Sequence, residues 1–128
     1  MKQLLTALLL ALTLTACGSG GEPAAYTSID AESARAMMDE NPAAVVLDVR
    51  EQDEYDSGHI PGAVLLPVGT IDEETAAAVI PGTDSAVLVY CRSGNRSKTA
   101  SQALADLGYT AVYEFGGIRD WPYDIVTE

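Results

Sequence analysis

The sequence predicts an α/β fold, a parallel central sheet with helices on both faces. Short apolar, β-branched runs alternate with helix-forming segments, the pattern that builds parallel sheets from strand–helix–strand units. These runs are apolar nearly throughout, as expected of strands buried on both sides. Residues 26–128 are enough for one compact domain and too few for two, and no internal repeat interrupts them.

The domain follows a leader. Met1-Lys2 and the apolar run from Leu4 to Ala16 form a positive start and a stretch too brief to span a bilayer. The run ends in Leu14-Thr15-Ala16-Cys17, which resembles the lipobox of bacterial lipoproteins. That resemblance implies a signal peptide over residues 1–16, with Cys17 lipidated and serving as the new N-terminus. An ordinary secretory cleavage site without lipid is the alternative. Residues 17–25, rich in glycine, form a flexible tether. Fully extended, its residues after Cys17 reach about 25–30 Å at roughly 3.3–3.6 Å each. The expected location is extracytoplasmic, lipid-anchored to a bacterial membrane on its periplasmic or cell-surface side.

Within the domain over residues 26–128, Asp30 caps a helix over Ala31–Glu40 that Asn41-Pro42 closes. Residues 44–49 read as a buried strand, and residues 51–56 as a short acidic helical turn. Residues 63–66 form a second strand closed by Pro67, and residues 72–80 a helix. Pro81-Gly82-Thr83-Asp84 turns into the strand over residues 86–90. Residues 97–108 read as a helix with Ala100, Ala103, Leu104 and Leu107 on one face and Gly108 as its stop. A last strand covers residues 111–115 and ends at Gly116-Gly117.

The strand over residues 86–90 delivers Cys91 into the loop Arg92-Ser93-Gly94-Asn95-Arg96-Ser97, directly ahead of a helix. A thiol placed there meets backbone N–H groups, the positive end of a helix dipole and fixed cations. All three favour thiolate over thiol, and together they form an anion cradle. Ligands of open α/β sheets bind beyond the carboxyl ends of the strands, where Cys91 is placed. The bland reading is a cysteine packed as a small hydrophobe.

Charge sharpens the contrast. The chain carries −12, and without Lys2 six Lys+Arg against nineteen Asp+Glu leave −13. Three of those six cations, Arg92, Arg96 and Lys98, cluster near one sulfur. So acidic a chain argues against nucleic acid and against electrostatic binding to anionic lipid, leaving the lipid on Cys17 as the membrane attachment. One histidine and one available thiol make no metal site, and no cofactor is expected. With Cys17 lipidated, Cys91 stands alone; a Cys17–Cys91 bridge is the alternative.

Four ordered segments then converge. Leu47-Asp48-Val49-Arg50 with Glu54-Tyr55, Gly58-His59-Ile60-Pro61-Gly62-Ala63, Tyr90-Cys91-Arg92-Ser93-Gly94-Asn95-Arg96-Ser97, and Gly116-Gly117-Ile118 with Trp121 resemble the rhodanese-type sulfurtransferases. The resemblance implies a rhodanese-like domain in which Cys91 takes sulfane sulfur from a small anionic donor such as thiosulfate. The persulfide then passes its outer sulfur to a thiol acceptor or cyanide. Arg92 and Arg96 are expected to attract the donor. The N–H groups from Arg92 through Ser97, including Ser93 and Asn95, are expected to hold the anionic intermediate, with Gly94 permitting the tight curl.

Asp48 and Arg50 are expected to pair and organise neighbouring loops, with Arg50 facing the site mouth as the other possibility. His59 is expected to brace its Gly-flanked turn rather than act as a base. Tyr90 belongs to the core, and Trp121 packs the carboxyl-terminal segment. A monomer is expected.

Two other functions fit parts of the pattern. Phosphatases and arsenate reductases also use a cysteine in a looped anion cradle ending in arginine. In the phosphatases of this fold five residues separate the two; here Cys91 and Arg96 enclose four, a ring better matched to one sulfur atom than to a tetrahedral oxyanion. A rhodanese-like sulfur-sensing or binding module without turnover would carry the same motifs.

Overall fold

The computed structural model describes residues 24–128, so the leader, Cys17 and most of the tether lie outside the described residues. In chain order the elements are β1 (Thr27–Ser28), α1 (Ala31–Glu40), β2 (Val45–Asp48), α2 (Gln52–Ser57), β3 (Val64–Leu65), α3 (Glu73–Val79), β4 (Ala86–Cys91), α4 (Asn95–Asp106) and β5 (Ala111–Gly117). The strands form one parallel sheet in the order β1-β5-β4-β2-β3, the α/β architecture expected from the alternating pattern. Among the described residues, no helix is long and apolar enough to cross a membrane.

Side chains of the central strand alternate between two apolar layers. Val87, Val89 and Cys91 join Leu47, Val49, Ala76, Ala100 and Leu104 in the layer beneath α3 and α4. Leu88 and Tyr90 join Ala34, Val46, Ile60, Phe115 and Trp121 in the layer on the α1 side. Burying each such Val or Leu contributes about 1.5–3 kcal/mol. The centre of the sheet is therefore the rigid base from which the Cys91 loop departs.

Local signals act as read. The Asp30 carboxylate accepts from Ser33 N at 2.8 Å, and Gly108 ends α4 with φ 103°. Asp72, expected as the first helical residue, instead caps α3, its carboxylate accepting from Thr75 N at 2.8 Å. Most ends shift by one or two residues, and three differences have a physical cause. β1 was not expected: Thr27-Ser28 is exposed and exists by pairing with Tyr113-Glu114. Helix α4 begins at Asn95, two residues earlier than the sequence suggests, because Gly94 takes a left-handed φ of 111° and serves as N-cap. Strand β5 continues past Phe115 through Gly117.

Candidate active site

Cys91 closes β4 with its side chain buried, 1% exposed. Gly94 N donates to Sγ at 3.0 Å. No side chain caps α4, so its first-turn N–H groups, which every helix leaves without intrahelical partners, face the cysteine loop. Burial pushes the Cys91 thiol up. The Ser97 hydroxyl and the N–H groups of Ser97, Gly94 and Ser93 outweigh that, and the thiol ionises below its ordinary 9.0. The hydroxyl is the weaker part of this set. Its single proton also faces Glu114 Oε1 at 2.7 Å, Gly94 O at 3.0 Å and Gly116 O at 3.3 Å. The shortest contact claims it, so the backbone donors, which cannot be redirected, carry the stabilisation.

The floor of the loop is built by β5. Cys91 pairs with Gly117 across a break in register. A Cβ on Gly117 would lie 1.9 Å from Arg92 O, so only glycine permits this approach. Gly116 takes φ 90°, and its N–H donates to Glu114 Oε1 at 2.7 Å. Glu114 Oε2 accepts from the Ser28 hydroxyl at 3.1 Å. This carboxylate is only 3% exposed and ties β1, α4 and β5 together beneath the cradle. Sequence reasoning missed Glu114; a lone acid inside the apolar run over residues 111–115 was the available signal.

The loop residues divide by placement. Gly94 and Ser97 are buried, Arg92, Ser93 and Asn95 are exposed, and Arg96 is half-buried. Asn95 and Arg96 sit on the first turn of α4 rather than in a loop. The Arg96 guanidinium is engaged: Nη1 donates to Glu54 Oε1 at 2.7 Å and Nη2 to Oε2 at 2.9 Å. Arg96 in turn holds the Glu54 carboxyl down at about 2. This ion pair spans 42 positions and joins α2 to α4. The clustered cations therefore present less free positive charge than their spacing suggests.

Asp48, Arg50 and His59 form a separate framework. Asp48 Oδ1 accepts from Arg50 N and Nε, both at 3.0 Å, and Oδ2 from Arg50 Nη2 at 2.7 Å. Arg50 also donates to Gly58 O at 2.7 Å. Tyr90 Oη donates to Asp48 Oδ2 at 2.7 Å and accepts from Ile60 N at 3.1 Å. Every member of this buried network is satisfied, which a buried charge requires. Arg50 is 4% exposed and committed to these partners. His59 stacks on Tyr55 with centroids 3.7 Å apart, its Nδ1 lies 2.9 Å from Tyr55 O, and its backbone pairs with Val126. Trp121 packs on Phe115 and Tyr123. A cavity of about 210 Å³ between Arg35, Met38, Ile60, Trp121 and Asp124 includes no residue of the cysteine loop.

The Rhodanese-like domain profile matches residues 30–123. Thiosulfate sulfurtransferase PspE of Escherichia coli is 38% identical over 74 residues, covering 58% of this chain and 70% of that protein. YrkF of Bacillus subtilis is 31% identical over 94 residues, covering 73% of this chain and 49% of that protein. Among solved structures, an E. coli rhodanese with anions superposes with a TM-score of 0.61 at 35% identity, covering 67% of this chain and all of that one (100%). A rhodanese-related protein of Thermoplasma volcanium gives 0.66 at 33% identity, covering 80% of this chain and 100% of its own.

Proposed function

The chain belongs to the rhodanese-like domain family, and on that premise we propose that it is a sulfurtransferase with Cys91 as its sulfur-carrying nucleophile. The observation that carries the reading is the Gly94 N–H aimed at Sγ from 3.0 Å at the uncapped start of α4. Such a position stabilises a thiolate, and later the anionic persulfide, with donors fixed in advance.

The reaction runs in two displacements. The Cys91 thiolate attacks the outer sulfur of a donor such as thiosulfate; the donor's S–S bond breaks and sulfite leaves with the electron pair. Cyanide or a thiolate then attacks the outer persulfide sulfur, and the pair returns to Cys91. No proton need move in either step at the sulfur, so a general base is not required and His59 serves as a brace. Exposed Arg92 supplies attraction at the mouth. The chemistry needs no cofactor, and one compact copy of the domain contains every residue invoked.

The phosphatase reading is disfavoured by the four-residue spacing from Cys91 to Arg96 and by the Glu54 carboxylate that already fills the arginine's fork. The test is thiocyanate formation from thiosulfate and cyanide. The unaltered protein is expected to turn over and Cys91→Ser to be inactive. Turnover by Cys91→Ser refutes the nucleophile, and sulfur loading without onward transfer favours a sensing module.

We also propose, from the Leu14-Thr15-Ala16-Cys17 pattern, that Cys17 is lipidated and holds the domain to the outside of a membrane. Cys17→Ser is then expected to move the protein into the soluble fraction; continued membrane association contradicts the anchor.

A further inference from the structure

We propose that Glu54 sets donor selectivity by occupying the Arg96 guanidinium, so that a dianionic donor gains Arg96 only by displacing this carboxylate. The inference deepens the sulfurtransferase reading and rests on it for the identity of the donor. Its geometry stands independently.

The Glu54–Arg96 contact is bidentate, with both guanidinium nitrogens matched to both carboxylate oxygens at 2.7 and 2.9 Å. That fork-to-fork geometry is the one an incoming oxyanion would use. Glu54 is also fixed on its own side, because Oε1 accepts from Glu51 N at 3.1 Å at the start of α2. Both side chains remain partly exposed, 34% for Arg96 and 26% for Glu54, so the contact can open to an anion arriving from solvent.

Arg96 lies on the first turn of α4, two residues past Gly94, whose N–H donates to the sulfur. The bond to Glu54 is the main reason it holds its proton more tightly than an ordinary arginine, and the Cys91 thiolate adds to the effect. Its guanidinium springs from that first turn, yet both of its terminal nitrogens are already taken by Glu54. The cations left outside any salt bridge among the described residues are exposed: Arg92 in the loop, Lys98 on the first turn of α4, and Arg119, whose N–H donates to Arg92 O. On α2 itself, Asp53 and Asp56 flank Glu54 and add negative charge to that helix. A donor with two charges gains the one bidentate guanidinium only by competing with an internal carboxylate, whereas a singly charged alkyl persulfide can rely on the exposed cations and the backbone N–H groups. The site is thereby biased toward singly charged donors.

The test compares the full domain with Glu54→Gln, which keeps a side-chain oxygen for Glu51 N and is accepted at the same helix position. Sulfate, an unreactive dianion, is the probe, read by its protection of Cys91 from iodoacetamide; this measurement needs no turnover. Freeing Arg96 from a half-exposed pair is expected to tighten sulfate by about three- to fivefold. The thiosulfate KM should fall in proportion, and the KM for an alkyl persulfide should change less. In an Arg96→Ala background the Glu54→Gln gain should shrink, because only general repulsion is left to relieve. Unchanged or weakened sulfate protection, an equal gain in both backgrounds, or no protection in either protein overturns the proposal. Tighter sulfate binding with no sulfur loading from any donor would instead retain the Glu54 role and defeat the sulfurtransferase reading.

Discussion

Gly117→Ala is the most demanding test of how the cradle is held. Gly117 is extended, with φ −137° and ψ 158°, so alanine can adopt its backbone and any effect comes from contact alone. The added Cβ would lie 1.9 Å from Arg92 O, 2.3 Å from Arg92 C and 2.5 Å from Ser93 N. Restoring an ordinary 3.4 Å contact from 1.9 Å requires the loop and β5 to part by 1.5 Å. The atoms struck are backbone and cannot swing aside. A shift of that size in the Arg92–Ser93 peptide, directly ahead of Gly94, breaks the 3.0 Å contact from Gly94 N to Sγ.

Misplacement by about 1 Å costs about 10²-fold in rate, and overpacking costs about 1–3 kcal/mol of stability. The assays are thiosulfate-to-cyanide turnover, the rate of Cys91 alkylation and a denaturant melt. Gly116→Ala is the matched control: its Cβ meets nothing within 4 Å, but φ is 90°, so it pays about 1–2 kcal/mol of backbone strain and disturbs the thiol less. A Gly117→Ala protein with normal stability and normal Cys91 reactivity would refute the close-approach argument.

Two further substitutions probe the supports beneath the site. Tyr90→Phe removes the hydroxyl between Ile60 N and Asp48; leaving these buried groups short of a partner should cost about 1–3 kcal/mol in a urea melt, with sulfur loading retained. Equal stability would contradict the network's role. Glu114→Gln keeps an oxygen for Ser97 and Gly116 and should be tolerated, whereas Glu114→Ala should lose about 1–3 kcal/mol and slow alkylation of Cys91. If both variants behave alike, Glu114 does not position the cradle through those bonds.

What the sequence disclosed, and what it withheld, follows from range. Strands β2, β4 and β5 are apolar runs bounded by turn residues, and the cap at Asp30 acts within three residues, so local pattern sufficed. Strand β1 has no such signature: Thr27 and Ser28 are exposed and owe their conformation to β5. The cradle was legible as a strand, a cysteine and a glycine-containing loop. Its electrostatics were not. Counting Arg92, Arg96 and Lys98 as one cluster overlooked Glu54, 42 positions from Arg96, because pairing across that distance exists only after folding. The Asp48–Arg50 pair, two residues apart, was correspondingly visible, but its third member Tyr90 was read only as core. Gly117 stood in a recognised motif, yet the need for glycine arises from a carbonyl on another strand's loop.

The proposed function turns on the backbone donors around Cys91 holding a charged sulfur. Intact-mass measurement after thiosulfate exposure, repeated across pH, tests it most directly. Because the folded thiol ionises below its ordinary 9.0, the thiolate fraction falls only as pH drops through that lowered value. Loading of one sulfur on Cys91, removable by cyanide, is therefore expected to persist to lower pH than the loading of an ordinary thiol. An unchanged mass at every pH, or loading that tracks the ionisation of an ordinary thiol, would contradict the claim.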